Sequence, residues 1–221
     1  MKVLITGTSS GIGLAVAQRF LKEGFEVFGL DLNESSINDK NYHHYNVDIV
    51  KVNQLPDIKD INIIFNNAGL QNSNDDIENN LKGTINVTEK YGFQDSIKAI
   101  LFNASASART GQEFPYYVAS KAGIVGYMKN VALRLAEKQV VVNSISLGGV
   151  LTKSNAPVLE NEQLWEEIME VTPFKKWMSE VEVAEWVYFL TVTNKSMSGQ
   201  DLLIDNGETE LNNRFVWPNN K

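Results

Sequence analysis

The feature that most constrains this chain is an alternation that runs along nearly its whole length. Short apolar runs alternate with longer stretches whose apolar residues recur at helical spacing. Lys2–Thr6, Glu26–Leu30, Tyr42–Asn46, Asn62–Phe65, Ile97–Asn103, Val140–Ser146 and Asp201–Asp205 read as strands. Ile12–Lys22, Asp75–Tyr91, Pro115–Glu137, Asn161–Val171 and Val181–Leu190 read as helices. Strand, helix, strand means crossover units, and crossover units build parallel sheets. Strands buried on both faces should be continuously apolar, as Asn62–Phe65, Ile100–Phe102 and Val140–Val142 are. The expected class is α/β, a doubly wound parallel sheet of about seven strands with helices on both faces. No linker, repeat or low-complexity tract interrupts the 221 residues, so 1–221 is expected to be one domain.

Composition removes several functions. Lys and Arg number 20 against 27 Asp and Glu, a net charge of −7. An electrostatic nucleic-acid binder needs a basic face, so nucleic acid is not an expected partner. The absence of Cys excludes disulfides, thiol catalysis and cysteine zinc sites. The two histidines, His43 and His44, are adjacent and cannot make a three-histidine metal site, so no metal is expected. The opening apolar run is too short for a secretory leader. No stretch approaches the ~18 apolar residues of a membrane span. A soluble, cytoplasmic protein is the expectation.

The first strand runs into Thr6-Gly7-Thr8-Ser9-Ser10-Gly11-Ile12-Gly13, which opens the first helix. A sharp turn and close approach of a pyrophosphate both call for glycine. The helix start then offers free N–H groups and a positive dipole end. A glycine-rich turn between a strand and a helix points to a dinucleotide. Asp31 closes the second strand, 18 residues after Gly13. An acid there accepts hydrogen bonds from ribose hydroxyls and repels a 2′-phosphate. No Lys or Arg lies between Lys22 and Lys40 to receive such a phosphate, so NAD is favoured over NADP.

Tyr117-Val118-Ala119-Ser120-Lys121 starts the longest helix, and spacing i, i+4 puts Tyr117 and Lys121 on one face. A phenol titrates near 10, and bringing it to about 7 takes roughly 4 kcal/mol. A neighbouring ammonium and a nicotinamide cation both push that way. Ser105 lies just past the fifth strand, where sites of parallel sheets gather, and Asn66-Asn67-Ala68-Gly69 ends the fourth at the same edge.

In this ordered set the chain resembles the short-chain dehydrogenase/reductase family, in its compact single-domain, Rossmann-like subtype. The matching residues are Thr6–Gly13, Asp31, Asp48-Ile49, Asn66–Gly69, Asn80, Ser105, Tyr117 with Lys121, and Asn143-Ser144-Ile145-Ser146. Gly199-Gln200 and Asp205-Asn206-Gly207 extend the match to nearly the whole chain. The resemblance implies an oxidoreductase that moves a hydride between a nicotinamide and a secondary alcohol or ketone. Tyr117 would be the general acid/base. Lys121 would bind the nicotinamide ribose and lower the Tyr117 pKa. Ser105 would orient the substrate, with Ser107 as fallback. Asn80, rather than Asn79, would hold a water that links Lys121 to solvent. Gly7, Ser9, Ser10, Gly11, Ile12 and Gly13 would cradle the pyrophosphate. Asp48 and Ile49 would flank the adenine, with Asn67, Ala68 and Gly69 along the adenosine. Val150 and Thr152 would meet the carboxamide. Leu147-Gly148 stands where the family usually has Pro-Gly, which implies a less rigid loop beside the nicotinamide. Asn206 replaces a frequent glycine.

Residues 152–178 are expected to form a flap over the substrate. Its Trp165, Ile168, Met169, Phe174 and Trp177 either line an apolar pocket or pack into the core, and it carries no Arg. Phe215, Val216 and Trp217, in the tail 208–221, are either a docked terminus or a pocket wall or subunit contact. The resemblance also implies a homodimer or homotetramer, for which Gly123, Gly126, Tyr127, Asn130 and Leu133 are available. Two other functions remain open. One is a non-catalytic dinucleotide sensor or regulator, which the presence of both Tyr117 and Lys121 disfavours. The other is a 3-oxoacyl-carrier-protein reductase-like enzyme. Asp31 weighs against it, since fatty-acid synthesis usually draws on NADPH. Spacing also locates what a short chain lacks. Asp48 to Asn66 leaves room for one short crossover helix, interrupted by Pro56, and Gly69 to Asn80 leaves room only for a loop.

Overall fold

A computed structural model describes residues 1–211. Phe215, Val216 and Trp217 lie outside the described residues. Seven strands form one sheet: β1 (Lys2–Thr6), β2 (Glu26–Asp31), β3 (Tyr42–Asn46), β4 (Ile63–Asn66), β5 (Ala99–Asn103), β6 (Val141–Leu147) and β7 (Asp201–Ile204). Their order is β3-β2-β1-β4-β5-β6-β7, and every neighbouring pair is parallel. Both the expected class and the expected strand count are observed. The chain reverses direction across the sheet between β1 and β4, so a crevice opens at their carboxyl ends.

The helices are α1 (Gly11–Lys22), α2 (Gly83–Tyr91), α3 (Ser107–Thr110), α4 (Pro115–Leu135), α5 (Ala156–Leu159), α6 (Glu162–Val171) and α7 (Glu180–Tyr188). Successive strand residues feed opposite faces, as the period of two requires. Val3, Ile5, Ile63, Phe65 and Leu101 pack with Val16 and Phe20 of α1 and Val183 and Val187 of α7. Leu4, Ile64, Ile100, Phe102 and Val142 pack with Val87 and Tyr91 of α2 and Ile124, Met128 and Val131 of α4. Each side is a separate apolar core, and the sheet is the wall between them.

Local chemistry sets the helix ends. Pro115 opens α4, where its missing N–H costs nothing, and Phe114 before it is extended. Ser179 and Glu182 form a reciprocal capping box at the start of α7. Gly24, with φ +76°, stops α1 as expected.

Peripheral connections are short on the β3 side. Residues 32–41 carry no helix, and the β3-to-β4 crossover holds only a 3₁₀ turn at Val52–Gln54. Residues 67–75 are irregular, so the loop expected between Gly69 and Asn80 is observed. The helix expected over Asp75–Tyr91 is instead a π turn, Ile77–Lys82, leading into α2. The flap region carries a 3₁₀ turn (Lys153–Asn155) and α5 ahead of the expected helix, because Pro157 starts a new short helix. The stripe considered for assembly is divided. Gly123 is closed off by Leu81 of the same chain, and the Tyr127 hydroxyl donates to Glu89 at 2.7 Å. Gly126 faces open space and Leu133 is exposed.

Candidate active site

The glycine turn leaves β1 through Gly7, whose φ of +77° an L side chain rarely adopts. A Cβ on Gly13 would lie 1.9 Å from the Gly7 carbonyl oxygen, so α1 approaches the turn only because position 13 has no side chain. The first turn of α1 has no acidic residue, and Ser10 makes no side-chain cap. Its N–H groups are therefore open to an anion, and the turn fits a pyrophosphate.

Neighbouring strand ends are stitched to this turn. The buried Thr6 hydroxyl oxygen accepts the N–H groups of Asn67 and Ala68, each at 2.9 Å. Asn67 Nδ2 donates to the Thr6 carbonyl at 3.1 Å, and Asn67 Oδ1 accepts from Asn103 Nδ2 at 2.9 Å. On the other side, Asp31 Oδ2 accepts the Ser9 N–H at 2.9 Å, and Oδ1 accepts the Asn33 N–H at 2.8 Å. The carboxylate thus stands at the lip of the glycine turn. Thr152 opens the flap, and its methyl lies 3.9 Å from a Cβ position on Gly11. Asp31, Asn67, Ala68 and Thr152 thus gather around the Gly7–Gly13 turn, and Gly69 lies beside Asn80 and Lys121.

Three expected cofactor residues have other engagements. Asp48 Oδ1 accepts the Val50 N–H at 3.0 Å, and Oδ2 pairs with Lys51 at 3.2 Å. Ile49 is buried against Gly83. The Val150 carbonyl accepts from Asn155 Nδ2 and from the Thr152 N–H, each at 2.8 Å. Leu147 extends β6 and pairs with Ile204, and the Asn206 backbone is left-handed at φ +57°.

The reactive residues converge beside this crevice. The first turns of α4 carry Tyr117 and Lys121, with the Lys121 ammonium 5.5 Å from the centre of the Tyr117 ring. Lys121 is buried and donates to the Asn103 carbonyl at 2.8 Å, which ties α4 to the carboxyl end of β5. Ser105 is buried just beyond β5, and its oxygen accepts from the Ser107 hydroxyl at 2.9 Å and the Ser107 N–H at 3.2 Å. Ser107 props Ser105, which keeps its own proton to donate. Asn80 is fully buried on the π turn. It accepts the Leu70 N–H at 2.7 Å and donates to the Leu70 carbonyl at 2.9 Å. It also donates to Ser120 Oγ at 3.1 Å, and Ser120 donates on to the Tyr117 carbonyl at 2.7 Å. Asn79, by contrast, is half-buried and donates to the Asp75 carbonyl.

Burial dominates the electrostatics here. It pushes the Tyr117 phenol up to about 12; the Ser105 hydroxyl opposes this, while the Glu113 and Asp76 carboxylates add to it. Burial pushes the Lys121 ammonium down to about 8, against the pull of Glu113 and Asp76. The lowering of the phenol expected from Lys121 is not seen in the chain by itself, where the phenol is raised instead. The phenol loses its hydration, and two carboxylates share its surroundings.

Several contributors were not singled out by sequence. Asn103 supplies both the Lys121 acceptor and a clamp on Asn67; a polar residue ending an apolar strand is the signal for it. Ser120 sits inside the Tyr117–Lys121 stretch. Asp76 lies one turn before Asn80 and is fully buried. Behind the glycine turn, Tyr42 donates to Thr8 Oγ1 at 2.9 Å and also bonds His44 Nδ1 at 3.0 Å. A Cβ at Gly29 would stand 2.3 Å from that phenol oxygen. Among the described residues no helix is long and apolar enough to cross a membrane, and no group of three His, Cys, Asp or Glu could hold a metal.

Comparison with known proteins agrees with this geometry. The family described as enoyl-(acyl carrier protein) reductase matches residues 7–209. The 3-oxoacyl-(acyl-carrier-protein) reductase FabG of Buchnera aphidicola is 29% identical, with 92% of this chain and 95% of that protein covered. The FabG of Staphylococcus epidermidis is 26% identical over 92% of this chain and 97% of its own. Among solved structures, 4-hydroxyisoleucine dehydrogenase complexed with NADH superposes with a TM-score of 0.84 at 23% identity, covering 96% of this chain and 99% of its own. A putative 2-deoxy-D-gluconate 3-dehydrogenase from Agrobacterium tumefaciens with bound NADP also gives 0.84, at 23% identity, covering 94% and 95%. The structural likenesses speak for the fold, and the family match spans the crevice and the reactive residues together. The chain belongs to the family whose model it matches, and so to the short-chain dehydrogenase/reductases, and is an enzyme of that class.

Proposed function

We propose that this enzyme transfers a hydride between a nicotinamide cofactor, NAD in preference to NADP, and a secondary alcohol or ketone. The observation that carries the reading is the convergence of Tyr117, Lys121 and Ser105 at the carboxyl edge of the sheet, beside an anion-ready glycine turn. A nicotinamide bound here would donate the hydride in its reduced form and, in its oxidised form, accept it and carry positive charge near Tyr117. Tyr117, a phenol at neutral pH and pushed further up by burial, donates its proton to a carbonyl oxygen in the reductive direction. Ser105, held by Ser107, donates a second hydrogen bond to that oxygen as charge develops. Lys121 binds the nicotinamide ribose and supplies positive charge next to the phenol. Asn80, locked between Leu70 and Ser120, holds the π turn against α4 and keeps the path from Lys121 to solvent in place. Gly7–Gly13 hold the pyrophosphate, and Asp31 accepts from the ribose hydroxyls. Asn67–Gly69, Asp48 and Ile49 border the adenosine, and Val150 and Thr152 the carboxamide. The domain is the whole chain, with 152–178 as flap. Trp165 meets Trp177 edge-on at 5.3 Å, and Leu164, Trp165, Ile168 and Met169 give α6 a half-buried apolar side.

A 3-oxoacyl thioester is the second reading of the substrate, favoured by the named FabG relatives. Assembly as a homodimer or homotetramer goes with either reading, with Gly126, Asn130 and Leu133 as the free part of the α4 face. Both readings are tested by a panel of secondary alcohols, ketones and an acetoacetyl thioester, each with NADH or NADPH for reduction and NAD or NADP for oxidation. Turnover with NADH above NADPH is expected, and Asp31→Ala narrows that ratio of kcat/KM by about tenfold or more through loss of a charged hydrogen-bond acceptor. An unchanged ratio removes the role of Asp31.

A further inference from the structure

Asp76 is a buried carboxylate with no assigned role. It is fully buried just before the π turn at Ile77–Lys82. Its Oδ2 accepts the Ser73 N–H at 3.1 Å. Its Oδ1 is buried with no hydrogen-bond partner among the described residues. An unpartnered carboxylate oxygen away from water is costly, and it is kept where something compensates the charge.

The π turn that follows Asp76 packs against α4. Asp76 is one turn before Asn80 and so on the same side of the turn. The Asn80 side chain reaches α4 through Ser120, and Leu81 packs where Gly123 has no side chain. Asn80 Oδ1 and the Lys121 ammonium both close over Gly69, at 3.0 and 3.7 Å from its Cβ position. The Asp76 charge acts on both Lys121 and Tyr117.

We propose that Asp76 is a positioning residue: the buried counter-charge that keeps Lys121 an ammonium beside Tyr117. This deepens the reading of Tyr117 and Lys121 as the reactive pair and rests on it. The other groups facing Lys121 are Tyr117 on its own helix, the Asn103 carbonyl at the end of β5, and Glu113 in the loop before α4. Glu113 is the exposed rival: it has φ +78° and accepts from Gln71 at 3.1 Å. Asp76 is distinguished from it by complete burial.

The test is the pH profile of kcat/KM in both directions, for the intact enzyme and for Asp76→Asn, which keeps an acceptor for Ser73. Removing the negative charge makes Lys121 and Tyr117 give up their protons more easily. The alkaline limb of reduction and the acid limb of oxidation should therefore both move to lower pH, by about 1 unit. A profile scaled in height but unmoved in pH overturns the proposal. Salt gives a second reading on the unmodified enzyme. Raising it from about 0.1 M to about 1 M should leave both limbs in place, because a buried pair is little screened. Limbs that move with salt assign the field to Glu113 and overturn the proposal even if Asp76→Asn does not fold. Tyr117→Phe separates the two levels. If it keeps turnover, the underlying reading fails. If it is inactive while the profiles contradict Asp76, only this inference fails.

Discussion

At the scale of single residues, the reactive pair works against the stability of the fold. Lys121 titrates normally at 10.5 and stands at about 8 in the folded chain. The folded state therefore binds this proton less tightly than the unfolded state does. At neutral pH the buried ammonium costs about 3 kcal/mol, and the cost fades as pH rises from about 8 toward 10.5. Tyr117 has the opposite sign. Its phenol stays protonated to about 12 in the folded chain, so stability falls as pH rises from 10 to about 12. Lys121→Met should then raise the unfolding free energy of the cofactor-free enzyme at pH 7 by roughly 1–3 kcal/mol after loss of the bond to Asn103. The same variant should lose turnover by about a hundredfold or more. Denaturant melts at pH 7 and pH 10 check the account, which requires the gain to shrink at the higher pH. A midpoint that falls at pH 7 would show that burial of the ammonium is not the strain described.

At the scale of elements, the caps decide how the site is framed. The capping box at α7 holds Glu182 at about 2, chiefly through Lys176 at 2.6 Å and then through the Ser179 N–H and hydroxyl. This carboxylate is depressed in the folded chain. Its contribution is complete above about 4.5 and is lost as pH falls toward about 2. Its exposure keeps that contribution small. Ser179→Ala should lower stability by about 1 kcal/mol at pH 7, with kcat unchanged, because α7 packs on α1 rather than on Tyr117. The difference from the parent should narrow below pH 4, which chemical denaturation at two pH values measures. The π turn is the opposite kind of element. It is a local widening of a helix held by Asn80, and such widenings gather at functional sites.

At the scale of the molecule, the sheet was legible because its signal is physical and repeated. β1, β3 and α1 fall within one residue of expectation, since apolar period and a glycine stop are strong local signals. The loop between Gly69 and Asn80 was legible from spacing alone, because about ten residues leave no room for a helix and two turns, whereas the short crossover helix expected between Asp48 and Asn66 is only a 3₁₀ turn ahead of Pro56. The π turn was not, because it depends on Asn80 reaching Leu70, ten residues back in the chain. Glycine turn, Asp31, Tyr117 and Lys121 were legible as motifs with mechanisms. Asn103, Ser120 and Asp76 were not, because their partners lie on other elements and a single sequence does not say which ends meet. The direction in which Tyr117 titrates was also out of reach, since burial is a property of the folded chain. The central claim is that this arrangement moves a hydride with Tyr117 as its acid/base. It is tested most directly by following NADH absorbance with a ketone substrate for the parent and Tyr117→Phe, alongside NADH binding by calorimetry. The account predicts turnover in the parent, a loss of about 10²–10⁴-fold in the variant, and NADH affinity within a few-fold. A variant that binds NADH and still turns over at the parent rate would contradict it.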